Sequence, residues 1–377
     1  MTCLRVGVVG CGEAAQIMHI PSLRRLSHQF ALAALADASA RVVQTLGERL
    51  NVARRYTDWH DLINDVDVDV VLVACPNAYH AEVVLAALAV GKHVLVEKPM
   101  CLTPREADAL VDAQQRTGLV LQVGYMRRYP AAFRAACEAV ADLHEIRFAR
   151  VRNILGLNEL VADQVADMVR PSDLSSAQLR RIFDDQDRLL REALGSDVTP
   201  EDRHTYFFLL SLNTHDLSAM RDLIGVPRRV LYATRRNGGV SPFMTAAFDF
   251  GGFVCHLESG FDELPRVEQD LTVYGNDRVV NVAFETGYVR NLPVRLTITE
   301  TSDRTGTVQH VLTPTWEDPF VSEWRAFHAC VTDGTPVRAS AADARLDIRL
   351  CIDITSAVQA SAGTDLALPR ARCVSQQ

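Results

Sequence analysis

Residues 4–15 read Leu4-Arg5-Val6-Gly7-Val8-Val9-Gly10-Cys11-Gly12-Glu13-Ala14-Ala15. The run Leu4–Val9 is mostly apolar and of strand length, a glycine pair follows, and a helical pattern opens at Ala14 and continues to Leu26. Gly10, Gly12 and Ala15 occupy the three small-residue positions of the G-x-G-x-x-G/A dinucleotide fingerprint. Gly10 permits the tight turn, Gly12 lets the backbone approach a pyrophosphate, and Ala15 lets the helix pack close to the strand with the pyrophosphate at its N-terminus. Asp37 ends the second apolar run, Phe30–Leu35, 25 residues after Gly12. An acid there accepts hydrogen bonds from the adenosine ribose. Ala38, Ser39 and Ala40 come next, with Arg41 further into the helix. With no arginine directly after the acid, NAD is favoured over NADP.

Outward from this stretch, strand and helix alternate. Apolar runs at Leu4–Val9, Phe30–Leu35, Val68–Ala74, His93–Val96 and Leu119–Val123 predict parallel strands covered on both faces. Helical patterns at Ala14–Leu26, Ala40–Leu50, Ala78–Ala89 and Pro104–Thr117 lie between them. This predicts a doubly wound α/β domain over residues 1–125. From Glu145 the pattern changes. Arg147–Ile154 predicts a strand, Leu157–Leu194 a helical and acidic stretch punctuated by Pro171 and Gly195, and His204–Ile224 a helix ended by Gly225 and Pro227. Alternating runs from Arg229 to Leu312 then predict a large, mostly antiparallel open sheet, followed by helices Pro319–Thr332 and Ala341–Ala360. Residues 126–377 thus read as a second α/β domain, with an insert at about 156–205 and closing helices that return to the first domain.

Composition excludes other classes. The net charge is −8 and no strongly basic stretch occurs, so nothing points to nucleic acid or an anionic membrane. No apolar run reaches the ~18–20 residues of a membrane span. The N-terminus enters a strand at once, without signal-peptide features. Nine cysteines, with no CxxC pair among them, read as reduced thiols in a cytoplasmic protein rather than a disulfide or zinc framework, so no metal is expected. Lysine occurs only at Lys92 and Lys98, which gives weight to a lysine found in a motif.

Three further segments carry a family resemblance: Cys75-Pro76-Asn77-Ala78-Tyr79-His80, then Gly91 to Pro99 with Glu97-Lys98-Pro99, then Gly124-Tyr125-Met126-Arg127-Arg128-Tyr129. With the glycine loop, they resemble the Gfo/Idh/MocA family, relatives of glucose–fructose oxidoreductase and inositol dehydrogenase. The likeness is close over the first domain and loose over the second. It implies that Pro76, Asn77 and Glu97 line the nicotinamide end of the cofactor, with His80 in the same cofactor-binding set, and that Lys98 reaches the reacting hydroxyl or carbonyl. Independently of any family, hydride transfer from an alcohol needs a group to take the hydroxyl proton, and a lysine near a pyridinium ring has its pKa lowered. In relatives the bond before Pro99 is cis; the sequence leaves that open.

Family members place D-x-G-x-H-x-x-D on one helix. Here the run is Ser211-Leu212-Asn213-Thr214-His215-Asp216-Leu217-Ser218, which keeps the histidine and replaces both aspartates and the glycine. Positions 211 and 215 share a helical face, so His215 is a catalytic candidate beside Lys98 and Ser211 a substrate contact. Asp216 lies about 100° further round and is a poor substitute. Tyr125, Arg127, Arg128 and Tyr129 are further pocket candidates, Arg128 foremost. The stretch 156–203 holds 11 acidic residues against 6 arginines. It reads as a solvated helical insert or oligomer contact near the pocket mouth, with a lid over a cationic or larger substrate as the other reading.

These features predict an NAD(P)-dependent oxidoreductase acting on a secondary alcohol or ketone of a sugar, cyclitol or glycoside. Two alternatives stand beside it: a redox-neutral epimerase, lyase or glycosidase-type enzyme that oxidises transiently, and a non-catalytic dinucleotide sensor. The retained Glu97-Lys98-Pro99 counts against the sensor. A sheet with an uncovered face predicts a homodimer or homotetramer.

Overall fold

The computed structural model describes residues 2–156, 158–236, 243–302 and 306–362. Two sheets organise them. The first contains β1 (Leu4–Val9), β2 (Phe30–Ala36), β3 (Arg54–Tyr56), β4 (Val70–Val73), β5 (His93–Val96) and β6 (Leu121–Val123). They pair in the order β3-β2-β1-β4-β5-β6, all parallel. This is the doubly wound dinucleotide-binding order, whose strand order reverses between β1 and β4. The apolar strands suit it: all four residues of β4 are buried, because helices cover both faces.

The helices start and stop where local chemistry directs. Ser39 caps Ala40–Leu50 by accepting from Val42 N. Thr103 and Glu106 form a reciprocal capping box at Pro104–Thr117, and Gly118 ends that helix at φ +66°. The first helix opens with a π-helical turn, Ala14–His19, before the α-helical Ile20–Arg25.

The second sheet contains β7 (Phe148–Leu155), β8 (Arg229–Arg236), β9 (Phe243–Asp249), β10 (Val254–Phe261), β11 (Val267–Tyr274), β12 (Arg278–Phe284), β13 (Arg295–Ser302) and β14 (Gly306–Leu312). Their order is β14-β13-β12-β11-β7-β10-β9-β8. Every pair is antiparallel except β7 with β10. Strand alternation appears directly in β7: Ala149, Val151, Asn153 and Leu155 are buried, whereas Phe148, Arg150 and Arg152 are half-buried on the other face. Helices Ala131–Ala141 and Thr214–Ile224 pack on the buried face. Helix Pro319–Thr332 returns to the first sheet, where Val321, Trp324 and Phe327 join a core with Leu23, Leu26 and Phe30. Helix Ala341–Ala362 packs on Pro104–Thr117.

The α/β class and both sheets agree with the sequence reading. Three short elements escaped it: β3, helix Trp59–Ile63 and helix Ala131–Ala141. The helical stretch read over 157–194 is corrected. It consists of helix Asn158–Val165, an extended segment through 175, and helix Ser176–Leu194. Pro171 lies within the extended segment, where it has no backbone N–H to donate to a helix, and Ser175 with Gln178 caps the start of the second helix. Among the described residues no helix is long and apolar enough to cross a membrane.

Candidate active site

The glycine loop has the shape its residues require. Gly10 sits at φ +89°, and a Cβ there would lie 2.3 Å from Cys75 N. At Gly12 a Cβ would meet no atom within 4 Å, so that position opens on free space at the start of the first helix. Asp37 is tied to the loop: Oδ2 accepts from Cys11 N at 2.9 Å, and Oδ1 accepts from Ser39 N at 2.9 Å. Ala15 is buried in the core with Val8 and Val42, so its part is close packing rather than ligand contact. Pro76 and Asn77 stand at the carboxyl end of β4, next to the Gly10 turn. These features form a cradle that fits a dinucleotide: a tight turn, an open glycine at a helix N-terminus, and a carboxylate at the end of β2.

His80 is corrected. Its Nδ1 and Nε2 each lie 2.8 Å from a carbonyl oxygen, Pro99 O and Cys75 O, and the ring is buried. No nitrogen remains for a ligand. His80 ties the loop after β4 to the segment after β5, where the Lys98–Pro99 bond is cis.

Beside the glycine loop lies a cleft of about 260 Å³, lined by residues that include Glu13, Glu97, Lys98, Arg127, Ser211 and His215. Lys98 Nζ donates to Ser211 O at 2.5 Å. Burial lowers the Lys98 pKa, and the Arg127 charge adds to this, against the opposing pull of Glu97 and Asp216. Ser211 Oγ and His215 Nδ1 are buried with no hydrogen-bond partner in the protein. Burial, then the charges of Lys98 and Arg127, hold His215 well below the ordinary histidine range, so it is neutral at pH 7. Ser211 lies in a π-helical turn, Leu209–Asn213, inside the continuous helical stretch 200–224. Such wide turns recur at functional sites. The cleft therefore brings together Glu97, Lys98, Ser211 and His215, four residues singled out from sequence.

Glu97 is set from below. His19 Nε2 lies 2.7 Å from Glu97 Oε1, and Trp324 Nε1 donates to His19 Nδ1 at 3.0 Å. Burial alone would raise the Glu97 pKa, but the His19 bond and the nearby Lys98 charge outweigh it and hold the carboxyl below its ordinary value.

The pocket candidates after β6 sort differently from the sequence reading. Arg128 is corrected: its Nε donates to Asp222 at 3.0 Å, its Nη1 to Asp343, and it is buried outside the cleft. Tyr125 is likewise buried, beside Asp347 and Arg221. Tyr129 is half-buried, with its hydroxyl buried near Glu323 and away from the cleft lining. Arg127 faces the cleft instead. Its guanidinium forms a buried ion pair with Asp216, which also accepts from Asn153 and, at 3.0 Å, from Asn213. Asp216 thus acts from behind Arg127 and does not line the cleft. Four polar candidates within five residues leave the sequence no way to tell which one turns inward.

The insert also lies elsewhere than expected. None of its described residues lines the cleft. Its extended part crosses the helix N-termini beside Asp37, and helix Ser176–Leu194 meets Tyr79 and Arg105 through Asp185 and Glu192. Sequence reasoning also missed His19, Gln269, Glu285 and Tyr288. Tyr288 Oη donates to Glu13 Oε1 at 2.5 Å, joining the second sheet to the glycine loop. His19 carried only the signal of a polar residue on an otherwise packed helix face. The others sit on strands or loops with no motif. Among the described residues no cluster of His, Cys, Asp or Glu is placed to hold a metal ion.

Residues 4–125 match a family described as an oxidoreductase family with an NAD-binding Rossmann fold. The inositol 2-dehydrogenase of Salmonella typhimurium is 36% identical over 135 residues, covering 34% of this chain and 39% of that protein. The myo-inositol 2-dehydrogenase of Thermotoga maritima is 33% identical over 139 residues, covering 37% and 41%. The chain therefore aligns with about two-fifths of the length of these relatives. Among solved structures, a levoglucosan dehydrogenase in complex with NADH and levoglucosan superposes with a TM-score of 0.73 at 19% identity, covering 95% of this chain and 98% of that one. A 3-ketoreductase from Actinomadura kijaniata in complex with NADP superposes with a TM-score of 0.70 at 19% identity, covering 94% and 98%. At such identities the likeness establishes the fold.

Proposed function

We propose that this chain, whose residues 4–125 match an oxidoreductase family with an NAD-binding Rossmann fold, is an NAD-dependent oxidoreductase acting on a secondary alcohol or ketone of a sugar, cyclitol or glycoside. One observation carries the reading. The Lys98 side-chain nitrogen, the orphaned Ser211 Oγ and the orphaned His215 Nδ1 converge in one cleft beside a loop shaped for a dinucleotide. Buried polar atoms without partners are costly unless a ligand satisfies them. A vicinal diol offers the two hydroxyls that Ser211 and His215 lack.

The bound nicotinamide would supply the hydride acceptor or donor. Lys98, its pKa lowered by burial, takes the proton from the reacting hydroxyl and returns it in the reverse direction. Neutral His215 orients the hydroxyl rather than carrying charge. Arg127 and Glu285 add charged hydrogen-bonding groups that suit a hydroxyl-rich substrate. The cradle of Gly10, Gly12 and Asp37, with Pro76 and Asn77 beside it, would hold NAD.

We further read residues 1–125 as the cofactor domain and 126–377 as the substrate domain. The half-buried outer face of the second sheet, with Phe148, Arg150 and Arg152, serves a homodimer or homotetramer.

The test is to load purified protein with NAD and add sugars, cyclitols and glycosides while following absorbance near ~340 nm. The expected result is reduction with one substrate class and none in Lys98→Met. Product without net reduction assigns the redox-neutral alternative. Bound NAD that no substrate perturbs, with Lys98→Met indistinguishable from wild type, overturns the enzyme reading in favour of a sensor.

A further inference from the structure

The extended segment before helix Ser176–Leu194 crosses the adenosine end of the first sheet and is anchored there independently of any ligand. The Gln16 side chain pairs with the Val169 backbone in both directions, donating at 2.9 Å and accepting at 2.8 Å. Val169 is buried in one core with Cys11, Ala15 and Val42. Arg49 Nη1 donates to Asp167 O at 2.6 Å.

This anchoring delivers Asp173 to the N-terminus of helix Ala40–Leu50. Its Oδ2 accepts from Arg41 N at 3.0 Å, and its Oδ1 accepts from Ser39 Oγ. The preceding residue, Ser172, accepts from the Arg41 guanidinium through its Oγ. These bonds hold the Asp173 carboxyl below its ordinary range, so it is an anion at neutral pH.

Asp37, two residues before Ser39, marks where an adenosine ribose would place its hydroxyls. A phosphate ester on the 2′-hydroxyl extends from that point toward the first turn of the following helix. The groups able to receive it are the helix-end amides, a small hydroxyl and a nearby guanidinium. In this chain those groups are Arg41 N, Ser39 Oγ and the Arg41 side chain, and all three already serve residues 172 and 173.

We propose that Asp173 is a built-in occupant of the 2′-phosphate position and makes this protein selective for NAD over NADP. The inference rests on the dinucleotide reading above. It adds that selectivity is imposed by the insert as well as by Asp37. Asp173 acts in two ways: it takes the donors a phosphate would need, and it adds a negative charge beside that of Asp37.

The experiment is a direct binding titration of the full-length protein with NADH and NADPH, read by nicotinamide fluorescence. Wild type is compared with Asp173→Asn, Asp173→Ala and Asp173→Ala/Arg41→Ala. Wild type is expected to bind NADH at least about tenfold more tightly than NADPH, where tenfold corresponds to about 1.4 kcal/mol. Both single variants should tighten NADPH by about tenfold or more and leave NADH within about threefold. Adding Arg41→Ala should remove that gain. Asp173→Asn keeps the size of the side chain, so it reports even if the alanine variant folds poorly. An unchanged NADPH-to-NADH ratio in Asp173→Asn overturns the inference, as does a wild type that binds both cofactors equally, and in both cases the dinucleotide reading stands. A wild type that binds neither cofactor overturns that reading, and this inference with it.

Discussion

His19 donates from Nε2 to Glu97 Oε1 across 2.7 Å, and a third residue decides that it can. Trp324, whose indole is a donor only, points at His19 Nδ1 from 3.0 Å. Nδ1 must therefore accept, and the single imidazole proton resides on Nε2. The first helix, the segment after β5 and the helix Pro319–Thr332 thus fix one carboxylate at the floor of the cleft.

Replacing His19 by alanine leaves the buried Trp324 N–H and Glu97 Oε1 each without a partner, while Glu97 Oε2 keeps its bond from Lys98 N. The expected loss is about 2–4 kcal/mol in urea unfolding at pH 7. Glu97 is held below its ordinary 4.5 in the folded protein. Its contribution is present above the unfolded value and is lost as pH falls through the folded one. The gap between wild type and His19→Ala should therefore be widest near neutrality and narrow below about pH 4.5. A gap that does not change with pH would overturn the argument.

Lys98 carries the opposite sign. Burial lowers its pKa from 10.5, so the unfolded chain holds the proton more tightly. Stability rises with pH between the folded value and 10.5, and Lys98 is a liability below that window. Lys98→Met should raise the melting temperature at pH 7, with the gain shrinking toward pH 10.5. The same substitution should lower turnover by about 10²–10⁴ and leave NADH affinity within about threefold. Lost turnover with a lowered melting temperature would show a structural lysine instead.

Arg127 and Asp216 form a buried ion pair behind the cleft, with side-chain exposures of 5% and 1%. Asp216→Leu strands the guanidinium and should cost about 3–5 kcal/mol. The double variant Arg127→Met/Asp216→Leu should recover most of that stability yet bind substrate poorly, because the cation facing the cleft is gone. Chemical denaturation of the four members of the cycle measures the coupling. Additive losses would mean that the pair does not act as a unit.

The two glycines of the loop should fail differently. Gly10→Ala forces a Cβ against the Ala74–Cys75 backbone at positive φ, so the protein should unfold at markedly lower denaturant. Gly12→Ala meets open space, so unfolding should be unchanged within about 0.5 kcal/mol while NADH affinity falls at least about tenfold. Equal stability losses at both positions would refute the assignment of Gly12 to the ligand side.

Where local pattern and environment agree, the architecture was legible in the residues. Strands buried on both faces must be apolar throughout, and those half-exposed must alternate, so Val70–Val73 and Phe148–Leu155 declare their sheets directly. Helix Ala40–Leu50 carries its own cap at Ser39. The 166–175 segment is extended rather than helical because its backbone is held by Gln16 and its polar side chains by Ser39 and Arg41, partners that sequence distance conceals.

The site divides in the same way. Gly10, Gly12, Asp37, Glu97 and Lys98 announce themselves because each sits at a strand end whose position local structure already determines. That Arg127 rather than Arg128 faces the cleft depends on Asp216, 89 residues away, and on Asp222 and Asp343 drawing Arg128 aside. That the insert lies beside Asp37 and Ser39 depends on Val169 packing into one core with Cys11, Ala15 and Val42. By itself the sequence determined the two sheets, the dinucleotide loop and the lysine, since strand period, glycine geometry and capping act over a few residues. Only the tertiary structure decided which neighbouring side chains line the cleft and what occupies the helix end beside Asp37, because buried charges take their direction from partners that are distant in the chain.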